Sequence, residues 1–215
     1  MPYRKVILTT GEFYHVFSRS VRGIPIFENQ KDAQLFIEAM EFYLAPNPPF
    51  RFSIYRKRRR STDLKALTKD PLVKVINYSL MPNHFHFSLF QNKDKGIQTY
   101  MQRLLNSFSH YSNIKNQQKG PLFESPFKVV RIETEEQLLH LSRYIHLQAV
   151  TGYLVEDPKD YPYSSYLAYL GKERSFIEPS PVLSCFSSPK EYKEFVLARK
   201  EYQRELEKIK HLLLE

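Results

Sequence analysis

Leu72-Val73-Lys74-Val75-Ile76-Asn77-Tyr78-Ser79-Leu80-Met81-Pro82-Asn83-His84-Phe85-His86-Phe87-Ser88-Leu89-Phe90-Gln91 decides how the rest of the chain is read. The part through Met81 is rich in β-branched and aromatic residues and predicts a strand. Pro82-Asn83 marks a turn, and Phe85 to Phe90 returns as a second strand. Side chains on a strand alternate between faces, so His84 and His86 project together while Phe85 and Phe87 face the other way. Two imidazoles side by side on a rigid strand are half of a metal site. On spacing alone, two incidental polar residues on a solvated sheet face are an equal alternative. The pair needs partners elsewhere in the chain.

Upstream of the hairpin, Glu12 to Arg19 alternates as a first strand. The loop that follows, Arg19 to Gly23, carries the guanidinium groups of Arg19 and Arg22, which suit phosphate contacts or simple solvation. From Asn29 to about Tyr43, the apolar residues Ala33, Phe36, Ile37, Met40 and Tyr43 follow helical spacing, and Pro46, Pro48 and Pro49 end that helix. Phe50 to Tyr55 reads as a short strand. The run Arg56-Lys57-Arg58-Arg59-Arg60 after it is either a solvated loop or an electrostatic arm for a nucleic-acid backbone. Ser61 to Asp70 has no clear period, and the region near 46–70 reads as a basic insertion.

Downstream, Gly96 to Asn116 predicts a long helix with Ile97, Met101, Leu104, Leu105, Phe108 and Tyr111 on one stripe. The Gly120-Pro121 pair lies just beyond its end. Phe127 to Ile132 is a further strand that mixes apolar residues with Lys128 and Arg131. Thr134 and Gln137 have the spacing of a capping box and open another helix. Leu138, Leu141 and Ile145 form its packing face, while His140, Tyr144 and Gln148 recur at i, i+4 and i+8 on a polar face. Gly152 ends that region, and Asp157 to Tyr166 is rich in turn residues. Ser188-Pro189 caps a last helix expected over Lys190 to Leu213. The order strand, helix, strand, strand, helix, strand, helix suggests an α+β fold with a ferredoxin-like antiparallel sheet and helices packed on one face. Residues 1–170 are expected to form the main domain and 171–215 a C-terminal helical extension.

The chain has 215 residues, 42% of them hydrophobic, with 15 Tyr and 16 Phe, enough for an α/β domain with a sizeable core. A formal charge of +9 favours a polyanionic partner, nucleic acid before anionic membrane. A single cysteine, Cys185, rules out an intramolecular disulfide and a cysteine-rich zinc site. No apolar run approaches the roughly 18 residues of a membrane span, so a cytoplasmic protein with no membrane partner is expected.

If the helix carrying Tyr144 and Gln148 packs beside the histidine strand, Gln148 supplies a third ligand oxygen and Tyr144 an adjacent phenol. Three neutral ligands hold a divalent ion weakly until a substrate phosphate joins it. That favours Mg²⁺ or Mn²⁺ acting as a Lewis acid on a phosphodiester, although the histidines would also accept Zn²⁺. A phenol is a poor nucleophile at neutral pH, and a metal in basic surroundings would activate it.

Tyr78-Ser79-Leu80-Met81-Pro82-Asn83-His84-Phe85-His86 resembles the hairpin motif of single-tyrosine transposases. These are the insertion-sequence 200-like enzymes and the transposases associated with repetitive extragenic palindromes (REP). Arg143-Tyr144-Ile145-His146-Leu147-Gln148-Ala149-Val150 is similar to the end of their catalytic helix. Tyr14-His15-Val16 with Arg19, and Tyr161-Pro162-Tyr163-Ser164-Ser165-Tyr166, are similar to their opening strand and a later segment. The resemblance runs from about Glu12 to Tyr169. It implies a ferredoxin-like nuclease of the His-hydrophobic-His class in which His84 and His86 hold the metal. Tyr144 would attack a single-stranded DNA phosphodiester next to a hairpin or palindromic element, leaving a 5′-phosphotyrosine and a free 3′-OH. Gln148 and Ala149 stand where the family has Asn-Pro, and Tyr163 stands in place of Trp. The family includes dimers that share active sites as well as enzymes acting alone, which leaves a homodimer open. The alternatives are a domesticated DNA- or RNA-binding protein without turnover and a metal-dependent phosphodiesterase using water.

Overall fold

The computed structural model describes residues 6–27, 29–58, 63–173 and 176–205. Along β1 (Phe13–Arg19) buried residues alternate with half-buried ones, the pattern of a strand with its core on one face. β2 (Val73–Met81) is buried at every residue except Lys74, so both of its faces are covered. β3 (His84–Gln91) returns antiparallel beside it, with Met81 opposite His84 and Ser79 opposite His86. With β4 (Lys128–Ile132) these strands form one antiparallel sheet in the order β2-β3-β1-β4. α1 (Gln30–Phe42) connects β1 to β2, and α4 (Gly96–Lys115) connects β3 to β4. This is the expected α+β, ferredoxin-like arrangement.

Phe85 and Phe87 point away from the histidines into an aromatic core. There Phe36 of α1 lies 5.8 Å from Phe85, and Phe108 of α4 lies 4.9 Å from Phe36. Such ring contacts contribute beyond the area they bury. The start of α4 is possible only with glycine, because a Cβ on Gly96 would lie 2.3 Å from the Leu72 carbonyl oxygen.

The helices are divided between the two faces of the sheet, not packed on one face as expected, because β2 and β3 carry residues that are buried on both of their faces. α1 and α4 cover the Phe85 side, whereas α5 (Glu135–Thr151) crosses the His86 side. On that side Leu147 and Val150 of α5 are buried with Ile76. Tyr166 and Tyr169 of the short α6 (Tyr166–Tyr169) join them. So do Val182 of α7 (Ser180–Leu183) and Tyr192 and Val196 of α8 (Pro189–Leu197), which fixes the segment after residue 170 against α5 and β2.

Two expected elements differ. Phe50 to Tyr55 is not a strand: Phe52 to Arg58 forms the helix α2. Phe52 and Tyr55 are three residues apart, so a helix turns both rings to one face, where they meet Phe42 at 5.5 and 4.8 Å. A strand would have split them. The supposed insertion therefore carries a packed helix, followed by the single turn α3 (Leu64–Leu67), which Asp63 caps. The last helix also does not run unbroken: α8 ends at Leu197, and the chain turns at 198–199 before helix resumes over 200–205. That turn brings Arg204 to the end of α5, where it donates to the Val150 carbonyl at 3.3 Å and pairs with Glu156 at 2.9 Å.

The open edge of β2 is closed by the segment Tyr161 to Tyr166. Leu80 N–H donates to the Tyr163 carbonyl at 2.9 Å, and Ser165 N–H donates to the Tyr78 carbonyl at 3.0 Å. An edge strand so paired is no template for another chain.

Candidate active site

Strand geometry puts His84, His86 and Ser88 on one face of β3. Pairing with β1 sets Arg19 opposite His84 and Phe17 opposite His86, so His15, Phe17 and Arg19 share that face. Pairing of β1 with β4 then places Lys128 beside Phe17. α5 lies across this surface and brings Tyr144 and Gln148, one turn apart, over the histidines. These residues line a cleft of about 560 Å³, together with Asn83, Glu124 and Gly152.

The entry and angle of α5 follow from its sequence. Thr134 Oγ1 accepts from Gln137 N–H at 3.1 Å as the capping motif requires, while Gln137 Oε1 reaches one residue beyond the cap and accepts from Glu133 N–H at 2.8 Å. At its other end, Ala149 has an amide proton to continue the helix, which a proline there would lack. The helix runs on to Thr151, with Gly152 at its C-cap. A Cβ on Gly152 would press to 3.0 Å from the Met81 methyl.

Each histidine of the pair is held through its Nδ1. Asn83 Nδ2 donates to the Gly23 carbonyl at 3.1 Å, which fixes the amide orientation and leaves Oδ1 facing His84 Nδ1 at 2.7 Å. His84 Nδ1–H is then the donor, and the ring's lone pair sits on Nε2. His86 Nδ1 lies 2.9 Å from His15 Nε2. Burial lowers the pKa of His15 to about 4, so this partner is neutral at ordinary pH. A ligand histidine held through its second nitrogen is the usual outer arrangement of a metal site.

The Tyr144 ring stands edge-on to His86 with centroids 5.6 Å apart, and 6.5 Å from His15. His84 and His86 are themselves 5.2 Å apart and nearly perpendicular. Among the described residues no three His, Cys, Asp or Glu side chains gather as a metal cluster. A divalent ion here would have two imidazoles, the Gln148 amide oxygen and, with substrate, a phosphate oxygen. With two imidazoles and a position open to a phosphate oxygen, this donor set differs from that of a closed structural zinc site.

The basic residues expected to bind nucleic acid divide into groups. Arg19 and Lys128 line the cleft, and Lys128 Nζ lies 6.0 Å from the Phe17 ring centroid. Arg22 sits in the turn after β1 with φ of 60°, exposed and outside the cleft lining. Arg131 pairs in register with Tyr14 on the other face and bonds Glu12 at 2.7 Å, so it is not part of the cleft. Arg56, Lys57 and Arg58 are on α2, against the far layer of helices. Arg59 and Arg60 lie outside the described residues.

His140, on the same helical row as Tyr144, turns instead to Glu136 and Arg143, 3.5 and 2.7 Å away. His15 is the residue that sequence reasoning missed. Its position on β1, two residues before Phe17, is visible in the sequence, but the pairing that carries it to His86 is not.

No protein-family model matches the chain, and none of the curated proteins matches it. The fold is similar to that in a solved structure of a REP-associated tyrosine transposase bound to a REP hairpin, with a TM-score of 0.56 and 15% identity. The match covers 80% of this chain and 87% of the other. A likeness at this level of identity carries the fold alone. Among the described residues no helix is long and apolar enough to cross a membrane.

Proposed function

We propose that the chain is a single-tyrosine DNA transposase that cuts and rejoins single-stranded DNA through Tyr144. The observation that carries this reading is the meeting of Tyr144 and Gln148 with His84 and His86 in one cleft. The structural neighbour's REP hairpin supports a DNA partner with a hairpin element. The family resemblance in the hairpin and in α5 supports the residue roles.

In the proposed reaction the scissile phosphate enters between β3 and α5. Arg19 and Lys128 attract the backbone, and Phe17 offers a ring face on which a base can stack. A divalent ion held by His84, His86 and Gln148, Mg²⁺ or Mn²⁺, would supply Lewis-acid stabilisation of the phosphate charge. Asn83 and His15, which contact the two Nδ1 atoms, would hold both imidazoles in place for that role. Tyr144 Oη gives its proton to solvent water and attacks phosphorus, forming an O–P bond while the bond from phosphorus to the 3′ oxygen breaks. The 3′ oxygen leaves and takes up a proton from solvent as a 3′-OH, and the 5′ phosphate stays on Tyr144. Because the energy of the broken bond stays in the phosphotyrosine, a second 3′-OH can displace Tyr144 and reseal the strand without an external nucleotide. Helical spacing would deliver nucleophile and ligand to one phosphate together.

The test is cleavage of a labelled single-stranded hairpin oligonucleotide with Mn²⁺. The native protein cuts it, while excess chelator or the double variant His84→Ala/His86→Ala abolishes cutting and leaves DNA binding largely intact. Undiminished cutting in the double variant would sink the metal assignment.

A further inference from the structure

A second cavity, of about 620 Å³, opens between α1, α2 and α4 on the side of the sheet away from His84 and His86. On α4, Met101, Leu104 and Phe108 are buried toward the sheet, while Arg103, Asn106, His110 and Ile114 recur on the opposite stripe and line this cavity. Arg51 and Arg56 face them from α2 and its approach. The buried Phe52 ring forms part of the floor, and Ile114 is 66% exposed at its border.

Among the described residues no carboxylate lines the cavity. Glu38, nearby, pairs with Arg56 at 3.3 Å. Arg103 is anchored through Nη1 to the carbonyls of Ala45 and Pro46 at 3.3 and 2.9 Å, which fixes the plane of its fork. Three guanidinium groups around an apolar floor match a ligand that is anionic along one side and flat and apolar along the other. A polynucleotide strand has that chemistry. An acidic peptide would satisfy the arginines but leave Phe52 and Ile114 without a flat partner.

We propose that this groove is a second binding site for single-stranded DNA, with Arg51, Arg56 and Arg103 on phosphates and Phe52 and Ile114 against a base. The proposal rests on the reading of the chain as a DNA-acting protein. α2, which has no counterpart in the sequence motifs around the cleft, builds one wall of the groove. It gives the basic run at Arg56 a binding surface separate from the reacting phosphate. A strand held here would be anchored away from the cut, so affinity could be high without crowding Tyr144.

The experiment is fluorescence anisotropy of a labelled, unstructured single-stranded oligonucleotide against the native chain across a salt series. Arg51→Ala/Arg56→Ala should weaken binding about tenfold at low salt and reduce the salt slope by roughly 1.4, two contacts at about 0.7 each on a single strand. Arg51→Lys/Arg56→Lys should restore the slope. Ile114→Ser should weaken binding several-fold (~3-fold) with the slope unchanged, as loss of an apolar base contact requires. Native affinity and slope in the Ala pair would overturn the groove. An unstructured oligonucleotide that the native chain does not bind would overturn it as well. A native chain that shows the groove effects but forms no protein–DNA adduct would leave the groove standing and remove the reading of the cleft.

Discussion

His15 Nε2 lies 2.9 Å from His86 Nδ1, a contact between residues 71 apart that exists only because β1 and β3 are neighbours in the sheet. If His86 presents Nε2 to a metal, its Nδ1–H must donate, and a neutral His15 is the acceptor. His15→Ala should therefore lower Mn²⁺ affinity by about tenfold or more, as loss of an outer partner does elsewhere. His15→Gln, whose amide oxygen can accept the same proton, should recover part of it. Titration of free Mn²⁺ by electron paramagnetic resonance measures both, and ¹⁵N shifts of His86 report its tautomer. Equal affinities in native and His15→Ala chains would reduce the contact to packing.

Lys128 and Arg131 are three residues apart on β4, yet only Lys128 faces the cleft. Lys128→Ala should weaken single-stranded DNA binding and lower its salt slope by about 0.7. Arg131→Ala breaks an ion pair with Glu12 on the other face and should leave the slope unchanged. Anisotropy across a salt series separates them, and a matching loss for both would mean that the strand is followed along the edge rather than across the site face.

His146 is wholly buried between Tyr192 and Ser165, 2.7 and 2.8 Å from its two ring nitrogens, and burial lowers its pKa to about 3. The unfolded chain, with a histidine of ordinary pKa near 6.5, binds a proton that the folded chain refuses. Stability is thus full above pH ~6.5 and falls as pH drops toward ~3, by up to roughly 5 kcal/mol from this group. Urea unfolding between pH 7 and 5 should show stability rising with pH, and His146→Gln should flatten that slope at the cost of a lower plateau. A slope unchanged in the variant would assign the acid sensitivity to other groups.

The sheet and the main helices were legible because their periods are clean. The alternation of Glu12 to Arg19, the stripe on Gly96 to Asn116, and the Thr134–Gln137 cap each determine a local structure that packing did not override. α2 was misread because Phe52 and Tyr55 lie in a short stretch between prolines and a charge run, where period 2 and period 3 are hard to tell apart. Tyr144, Gln148 and the histidine pair could be named from spacing and resemblance. Their convergence could not, since it depends on α5 crossing the face opposite α1 and α4. His15, Phe17 and Lys128 reach the site through strand register alone, and one strand's sequence does not state its neighbours. The cationic groove was less legible still, because Arg51 and Arg103 are brought together by tertiary packing.

The most direct test of the central claim is whether DNA becomes covalently attached to Tyr144. The native protein, incubated with Mn²⁺ and a labelled single-stranded hairpin oligonucleotide, should yield a protein-linked DNA band on a denaturing gel. Tyr144→Phe removes only the hydroxyl and should abolish that band. Tyr111→Phe should retain it, because the Tyr111 hydroxyl donates to Asp32 at 2.8 Å in the other helical layer, away from the cleft. An adduct that persists in Tyr144→Phe, or cleavage by the native protein with no adduct at any time, would contradict the account.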